Sequence, residues 1–231
     1  MKSIKNLSDR IVSIEYPENG ELRARKVVSR SKARSTTKYP SWKMARMTQC
    51  ESSYELFAHR LLDVNPAVRS FSEQPLTIRY ILDGVERRHY PDILVVLIDG
   101  SQELWEVKSK KDAAEAETQA RTCFLQAALP GYGFAYRIVL GEDLGREPRM
   151  SNVRQMLIWG RPSISLLEYE LMRAALRLKP SLTWAEAQSV LGPRGRHIVA
   201  RHVLEGRLAF DLDAKLTPAT VFTAVNAGKE R

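Results

Sequence analysis

The chain is short of several residues and patterns that would mark particular classes. Two cysteines, Cys50 and Cys123, stand far apart with no CxxC or His-rich spacing, which argues against a disulfide framework and a structural zinc site and predicts free thiols. The longest apolar run, residues 93–98, is far below the roughly 20 residues a membrane span needs. The polar start MKSIKNLSDR has no signal-peptide core, so the expectation is a soluble, intracellular protein. With four histidines, no convincing His-based triad can be drawn. No repeat recurs at solenoid periods, and only SRSKARSTTK at 29–38 is compositionally biased.

What the chain has is positive charge and a sizeable apolar fraction. In 231 residues, 44% hydrophobic, 36 Lys and Arg face 27 Asp and Glu, a net +9 that points to a polyanionic partner. The excess is local: residues 1–50 carry twelve basic and four acidic side chains, and the remainder is nearly balanced. Arg30, Lys32, Arg34, Lys38, Lys43 and Arg46 are interleaved with Ser and Thr, the composition of a phosphate-contacting arm, although a plain basic tail would read the same.

Periodicity then divides the chain. Tyr54, Phe57, Leu61, Leu62 and Val64 recur at helical spacing up to Asn65-Pro66. Short runs at 76–82, 85–90 and 93–98, followed by Asp83-Gly84 and Asp99-Gly100 turns, read as strands, with another at 103–108. Residues 112–129 fit a helix and 134–140 a strand. The Gly- and Pro-rich stretch 141–161 reads as a connection. Beyond it come three helices, the second opened by Thr183 and Glu186 at capping-box spacing, and then alternating Leu208, Phe210 and Leu212. The expected division is a basic arm at 1–45, an α/β core at 46–150, a linker at 151–162 and a winged-helix-like domain at 163–231. Arg194, Arg196, His197, Arg201 and His202 on its third helix suit either DNA reading or a helix that is merely solvated.

The chemistry concentrates in Tyr90-Pro91-Asp92 and, fourteen residues after Asp92, Glu106-Val107-Lys108. Alternate strand residues share a face, so Glu106 and Lys108 point together. Asp92, Glu106 and the Val107 carbonyl are hard oxygen donors suited to Mg²⁺, and Lys108 is placed to orient an attacking water and steady developing negative charge. The plainer alternative is an exposed hairpin with a surface Glu–Lys pair worth under about 1 kcal/mol. Glu55 is either the return partner of Ser52 in a capping box or a third carboxylate ligand, with Glu51 as the fallback. His59 reads as a surface or interface residue, not a ligand. Gln74 opens a strand before Pro75 and suits a water or phosphate contact, and Lys110 and Lys111 suit the DNA backbone.

Taken together, SRSKARSTTKYPSWKMARMTQCESSYE at 29–55, Glu73-Gln74-Pro75, Tyr90-Pro91-Asp92 and Glu106-Val107-Lys108 resemble the TnsA-like endonucleases, PD-(D/E)xK partners of heteromeric cut-and-paste transposases. The run 202–212 and residues 216–221 are similar to that family's C-terminal winged-helix segment. The resemblance implies a restriction-endonuclease-like mixed sheet flanked by helices, with Glu55, Asp92 and Glu106 binding metal and Lys108 catalytic. It implies Mg²⁺-dependent hydrolysis of DNA, with Mn²⁺ substituting, at the 5′ ends of a transposon on the non-transferred strand. The implied partners are double-stranded transposon ends, a DDE transposase subunit and, through the C-terminal region, an AAA+ ATPase regulator, in a cytoplasmic, nucleoid-associated setting of bacterial type. Some relatives carry Gln where Glu106 stands. A stand-alone nuclease of defence or junction resolution and a non-catalytic DNA-binding subunit are the competing readings.

Overall fold

A computed structural model describes residues 9–17, 23–24 and 36–225. Of the expected DNA contacts, Arg30, Lys32 and Arg34 lie outside the described residues. The chain divides into two compact units. One comprises Met1–Pro40, Arg46–Ala58 and Val68–Leu144, and the other Ser41–Ala45, His59–Ala67 and Gly145–Arg231.

The first unit is built on two antiparallel-rich sheets. Strands β1 (Arg10–Glu15), β5 (Thr77–Leu82) and β6 (Val85–His89) form one, in the order β1-β5-β6. The β5–β6 hairpin turns on Asp83 and Gly84, both at positive φ (53° and 74°). That is the geometry a two-residue type I′ turn demands. The other sheet runs β4 (Val68–Glu73), β7 (Ile93–Leu97), β8 (Gln102–Lys108), β9 (Phe134–Leu140). Strand β8 is antiparallel to β7 and parallel to β9. A parallel pair needs a crossover, and helices α2 (Lys110–Ala113) and α3 (Ala116–Ala128) supply it. Leu76, Ile78, Tyr80 and Leu82 join Leu104, Leu125, Leu129 and Phe134 in the core beneath. A hairpin of β2 (Thr37–Ser41) and β3 (Arg46–Cys50) leads into α1 (Ser53–Val64), and α4 (Gly141–Leu144) follows β9. Cys50 is buried and Cys123 exposed, and the two form no disulfide.

The second unit holds α5 (Arg149–Gly160), α6 (Leu166–Leu178), α7 (Trp184–Leu191) and α8 (Gly195–Leu204). Strands β10 (Ser181–Thr183), β11 (Leu208–Ala209) and β12 (Val221–Ala224) form a sheet in the order β10-β12-β11. Thr183 and Glu186 make the expected capping box, and Ser165 and Glu168 make a second. Among the described residues, no helix is long and apolar enough to cross a membrane.

Three expectations are corrected. Residues 151–162 are not a linker: α5 occupies most of them, burying Met150, Val153, Met156 and Leu157. Its glycine and proline neighbours mask an apolar helix between them. Residues 1–45 are not simply an arm, because Ile11 is buried and β1 pairs with β5 from Arg10↔Ile81 to Glu15↔Thr77. Strand β4, whose polar Arg69, Ser70 and Ser72 hide its alternation, goes unread in the sequence although Val68 and Phe71 are buried.

Candidate active site

Register brings the proposed residues together. Ile93 pairs with Trp105, so Asp92, one position before the ladder, stands across from Glu106. Asp92 Oδ2 accepts a 2.7 Å hydrogen bond from the Val107 amide. The Asp92 carbonyl in turn accepts from the Gln74 amide at 2.8 Å. Gln74 itself holds a left-handed backbone (φ 43°), uncommon for a residue with a side chain. Its side-chain amide donates to Glu51. Gln74 is thus a buried brace for Asp92 and Glu51.

Glu106 is 4% exposed. Lys108 Nζ lies 2.8 Å from its Oε1, and His89 Nε2 lies 3.2 Å from its Oε2. His89 Nε2 is also 3.0 Å from the buried Tyr136 hydroxyl. An exposed surface pair is therefore overturned: the Glu–Lys motif sits in the interior, on the second strand from the sheet edge. Sequence pattern misses His89 and Tyr136, since their joint approach to Glu106 exists only after β6 and β9 are in place.

Burial pushes the Glu106 carboxyl up, but His89 and Lys108 outweigh it and bring the group down to about 2. Asp92 moves the other way. Burial, and then the negative charges of Glu106 and Glu55, raise it well above the usual carboxylate range. Burial lowers Lys108, but Glu106 and Asp92 more than compensate, so its ammonium is held protonated. It can orient or neutralise an anion and cannot serve as a base near neutral pH.

Glu55 caps the start of its helix. Its amide donates to Ser52 Oγ at 3.1 Å, and its carboxylate accepts from Ser52 Oγ at 3.0 Å and, one residue before the expected partner, from the Glu51 amide at 2.8 Å. It is also near enough to Asp92 to raise that group electrostatically, and burial raises Glu55 in turn.

Hard oxygen donors of this kind suit a divalent cation, and the excess negative charge around Asp92 is what such a cation would neutralise. The coordination shell is not assembled, however: among the described residues, no three His, Cys, Asp or Glu side chains stand together to hold a metal. Glu106 Oε1 faces Lys108, and Glu55 faces the helix start.

The other expected DNA contacts separate on inspection. Lys43 Nζ donates to the carbonyls of Leu62 (2.8 Å) and Asn65 (2.5 Å), closing the end of α1, and burial lowers it to about 8 despite Asp63. Arg46 grips Glu73 with two hydrogen bonds of 3.0 and 2.8 Å, and Arg23 binds the same carboxylate. Lys110, largely exposed, lies 3.5 Å from Asp143, and Lys38 is exposed.

In the second unit Arg194 pairs with Glu168 at 2.8 Å, Arg196 stacks on Trp159, and Arg201 donates to the carbonyls of Arg161 and Pro162. Helix α8 is therefore not a merely solvated helix, and its Arg194 and Arg196 remain exposed. Ile198, Val199, Ala200, Val203 and Leu204 are buried, and α5 packs across it so closely that Gly160 meets the Ala200 backbone. His59 is likewise fully buried, not at a surface.

A mixed α/β sheet with Asp, Glu and Lys gathered on adjacent strands is the arrangement of an α/β nuclease. Residues 65–139 match the family model described as TnsA-like endonuclease N terminal, so this stretch of the chain is similar to that family. A comparison with curated proteins returned no match.

Proposed function

We propose that this protein is a divalent-metal-dependent DNA endonuclease that cuts the 5′, non-transferred strands at transposon ends, working beside a DDE transposase. The observation that carries the reading is the convergence of Asp92, Glu106 and Lys108 across β7 and β8 with Glu55 nearby, inside a TnsA-like endonuclease domain.

Asp92, Glu106, the Val107 carbonyl and Glu55 would hold Mg²⁺ or Mn²⁺. Such a cation, when bound, supplies Lewis acidity and lowers the pKa of a coordinated water. The chain's own residues do the rest. Protonated Lys108 sets a positive charge beside Glu106, where it steadies charge developing on the phosphate. Val107 and Gln74 fix Asp92 from both sides. The products are a 5′-phosphate and a 3′-hydroxyl.

For the C-terminal unit we propose a winged-helix type, supported by the order β10-β12-β11 around α7 and α8. Its role is partner docking, on the AAA+ regulator, more than base reading. Support comes from the covered face of α8 and from Leu167, Leu171 and Leu178, which α6 leaves exposed. Within the basic N-terminal stretch, Arg30, Lys32, Arg34 and Lys38 would add salt-dependent affinity for duplex DNA.

The test is strand-specific cleavage of transposon-end duplexes by the full chain with its transposase, in Mg²⁺ and in Mn²⁺. Cuts on the non-transferred strand that vanish in Asp92→Ala, with DNA affinity within a few-fold of wild type, are expected. Cleavage that survives Asp92→Ala would remove the assignment, and loss of binding by the folded variant would favour a non-catalytic DNA-binding subunit.

A further inference from the structure

Arg121 is a charged side chain that the proposed mechanism does not use. It stands on α3 between Thr118 and Leu125, the two buried residues of that helix, and the three share one face at spacings of three and four. Its side chain is 19% exposed and reaches the same carboxylate as Lys108, with a terminal nitrogen 3.7 Å from Glu106 Oε1.

That distance is too long for a hydrogen bond. Arg121 Nε is buried without a hydrogen-bond partner, while the rest of the guanidinium stands in hydrogen-bonding reach of the Tyr136 hydroxyl. A guanidinium offers five N–H donors in a planar fork, and leaving such donors unmet in a partly buried place is costly. Balancing Glu106 does not account for it, because Lys108 at 2.8 Å and His89 at 3.2 Å already attend that carboxylate. The surplus is a cationic fork beside Glu106 and Lys108, matched in geometry to two oxygens of one anion.

We propose that Arg121 and Lys108 together form the seat for the phosphodiester that is cut, with the Arg121 fork donating to its non-bridging oxygens. The inference rests on the endonuclease reading and extends it to a residue on a different element. Arg121 would hold the phosphate in line during attack, so its loss should slow the chemical step and leave overall DNA affinity, set by many phosphates, nearly unchanged.

The experiment uses the full chain, with its transposase, in single-turnover cleavage of a transposon-end duplex. Wild type, Arg121→Ala, Arg121→Lys and Asp92→Ala are compared, with duplex affinity and thermal unfolding measured for each. The expected result is a loss of at least about 100-fold in Arg121→Ala and about tenfold in Arg121→Lys, with affinity within threefold. Millimolar ethylguanidinium should restore Arg121→Ala at least tenfold and leave Asp92→Ala inactive.

A second readout needs no turnover. The Arg121 Nε–H resonance, assigned by its disappearance in Arg121→Lys, should shift when a duplex is added in Ca²⁺. Folded Arg121→Lys cleaving like wild type, or a resonance unmoved by saturating duplex, overturns the proposal. So does a slow Arg121→Ala that ethylguanidinium does not rescue and that has lost thermal stability, the signature of a structural role. Absence of cleavage by wild type would sink the endonuclease reading instead, and the resonance shift would then still decide whether Arg121 meets DNA.

Discussion

Asp92 and Val107 are joined by a 2.7 Å hydrogen bond from a backbone amide to a carboxylate oxygen, so the residue that opens one strand is fastened to the strand carrying Glu106 and Lys108. A carboxamide at position 92 keeps an acceptor for that amide and loses only the charge. Asp92→Asn should therefore fold with near-normal stability, while Mn²⁺ affinity falls by more than about 100-fold, the upper range for residues that merely support a ligand. Calorimetric titration with DNA present reads this directly. Equal Mn²⁺ binding in wild type and Asp92→Asn would remove Asp92 from the ligand set.

The Glu73 carboxylate lies under two guanidinium groups, from Arg23 and Arg46. Burial pushes it up, but the Arg46 hydrogen bond and charge and the Arg23 hydrogen bond outweigh that and hold it below its ordinary value. A depressed acid contributes stability that is complete above its unfolded value, about 4.3, and is lost as pH falls through the lower folded value. Glu73→Gln should cost about 3 kcal/mol at pH 7, because two partly buried cations lose their partner. The gap between wild type and variant should close below about pH 4. Melting temperatures of the pair across pH 3–7 measure it, and a pH-independent gap would show that packing, not charge, is responsible.

Gly160 ends α5 where a Cβ would stand 2.6 Å from Leu204 Cδ1 and 2.9 Å from the Ala200 carbonyl carbon and oxygen. Because backbone atoms cannot step aside, Gly160→Ala should destabilise the C-terminal unit by about 1–3 kcal/mol. Hydrogen exchange should localise the loss to α5 and α8, sparing β7 and β8. Uniform loss across both units would show that they unfold together.

Triple replacement of Arg30, Lys32 and Arg34 by Ala should reduce the slope of log affinity against log salt by about 2–3, with no change in which duplex sequences are preferred. Point changes are the right tool, because deleting 1–45 would also remove β1, which pairs with β5, and β2. An unchanged slope would show that the arm does not meet phosphates.

Much of this architecture was readable from residue order. The Asp83-Gly84 turn and the Thr183–Glu186 cap are local signals, and each fixes a local element. The strand-borne pair of Glu106 and Lys108 followed from period two alone. What stayed hidden depends on distance along the chain. Lys43 looks like a DNA contact until the end of α1, some twenty residues on, offers it two carbonyls. Arg46 looks free until Glu73 arrives, and Arg196 and Arg201 until α5 lies across α8. A basic residue advertises its charge in the sequence and conceals its partner.

Strand β8 has neighbours on both sides, β7 and β9, and its side chains alternate strictly between faces. A slip of one residue in either ladder would turn Trp105 and Val107 toward the carboxylates and send Glu106 and Lys108 to the other side. No partly registered version of this sheet holds Asp92, Glu106 and Lys108 together. Correct pairing thus acts as a licence: a chain caught midway or mistakenly paired lacks the constellation of Asp92, Glu106 and Lys108 altogether.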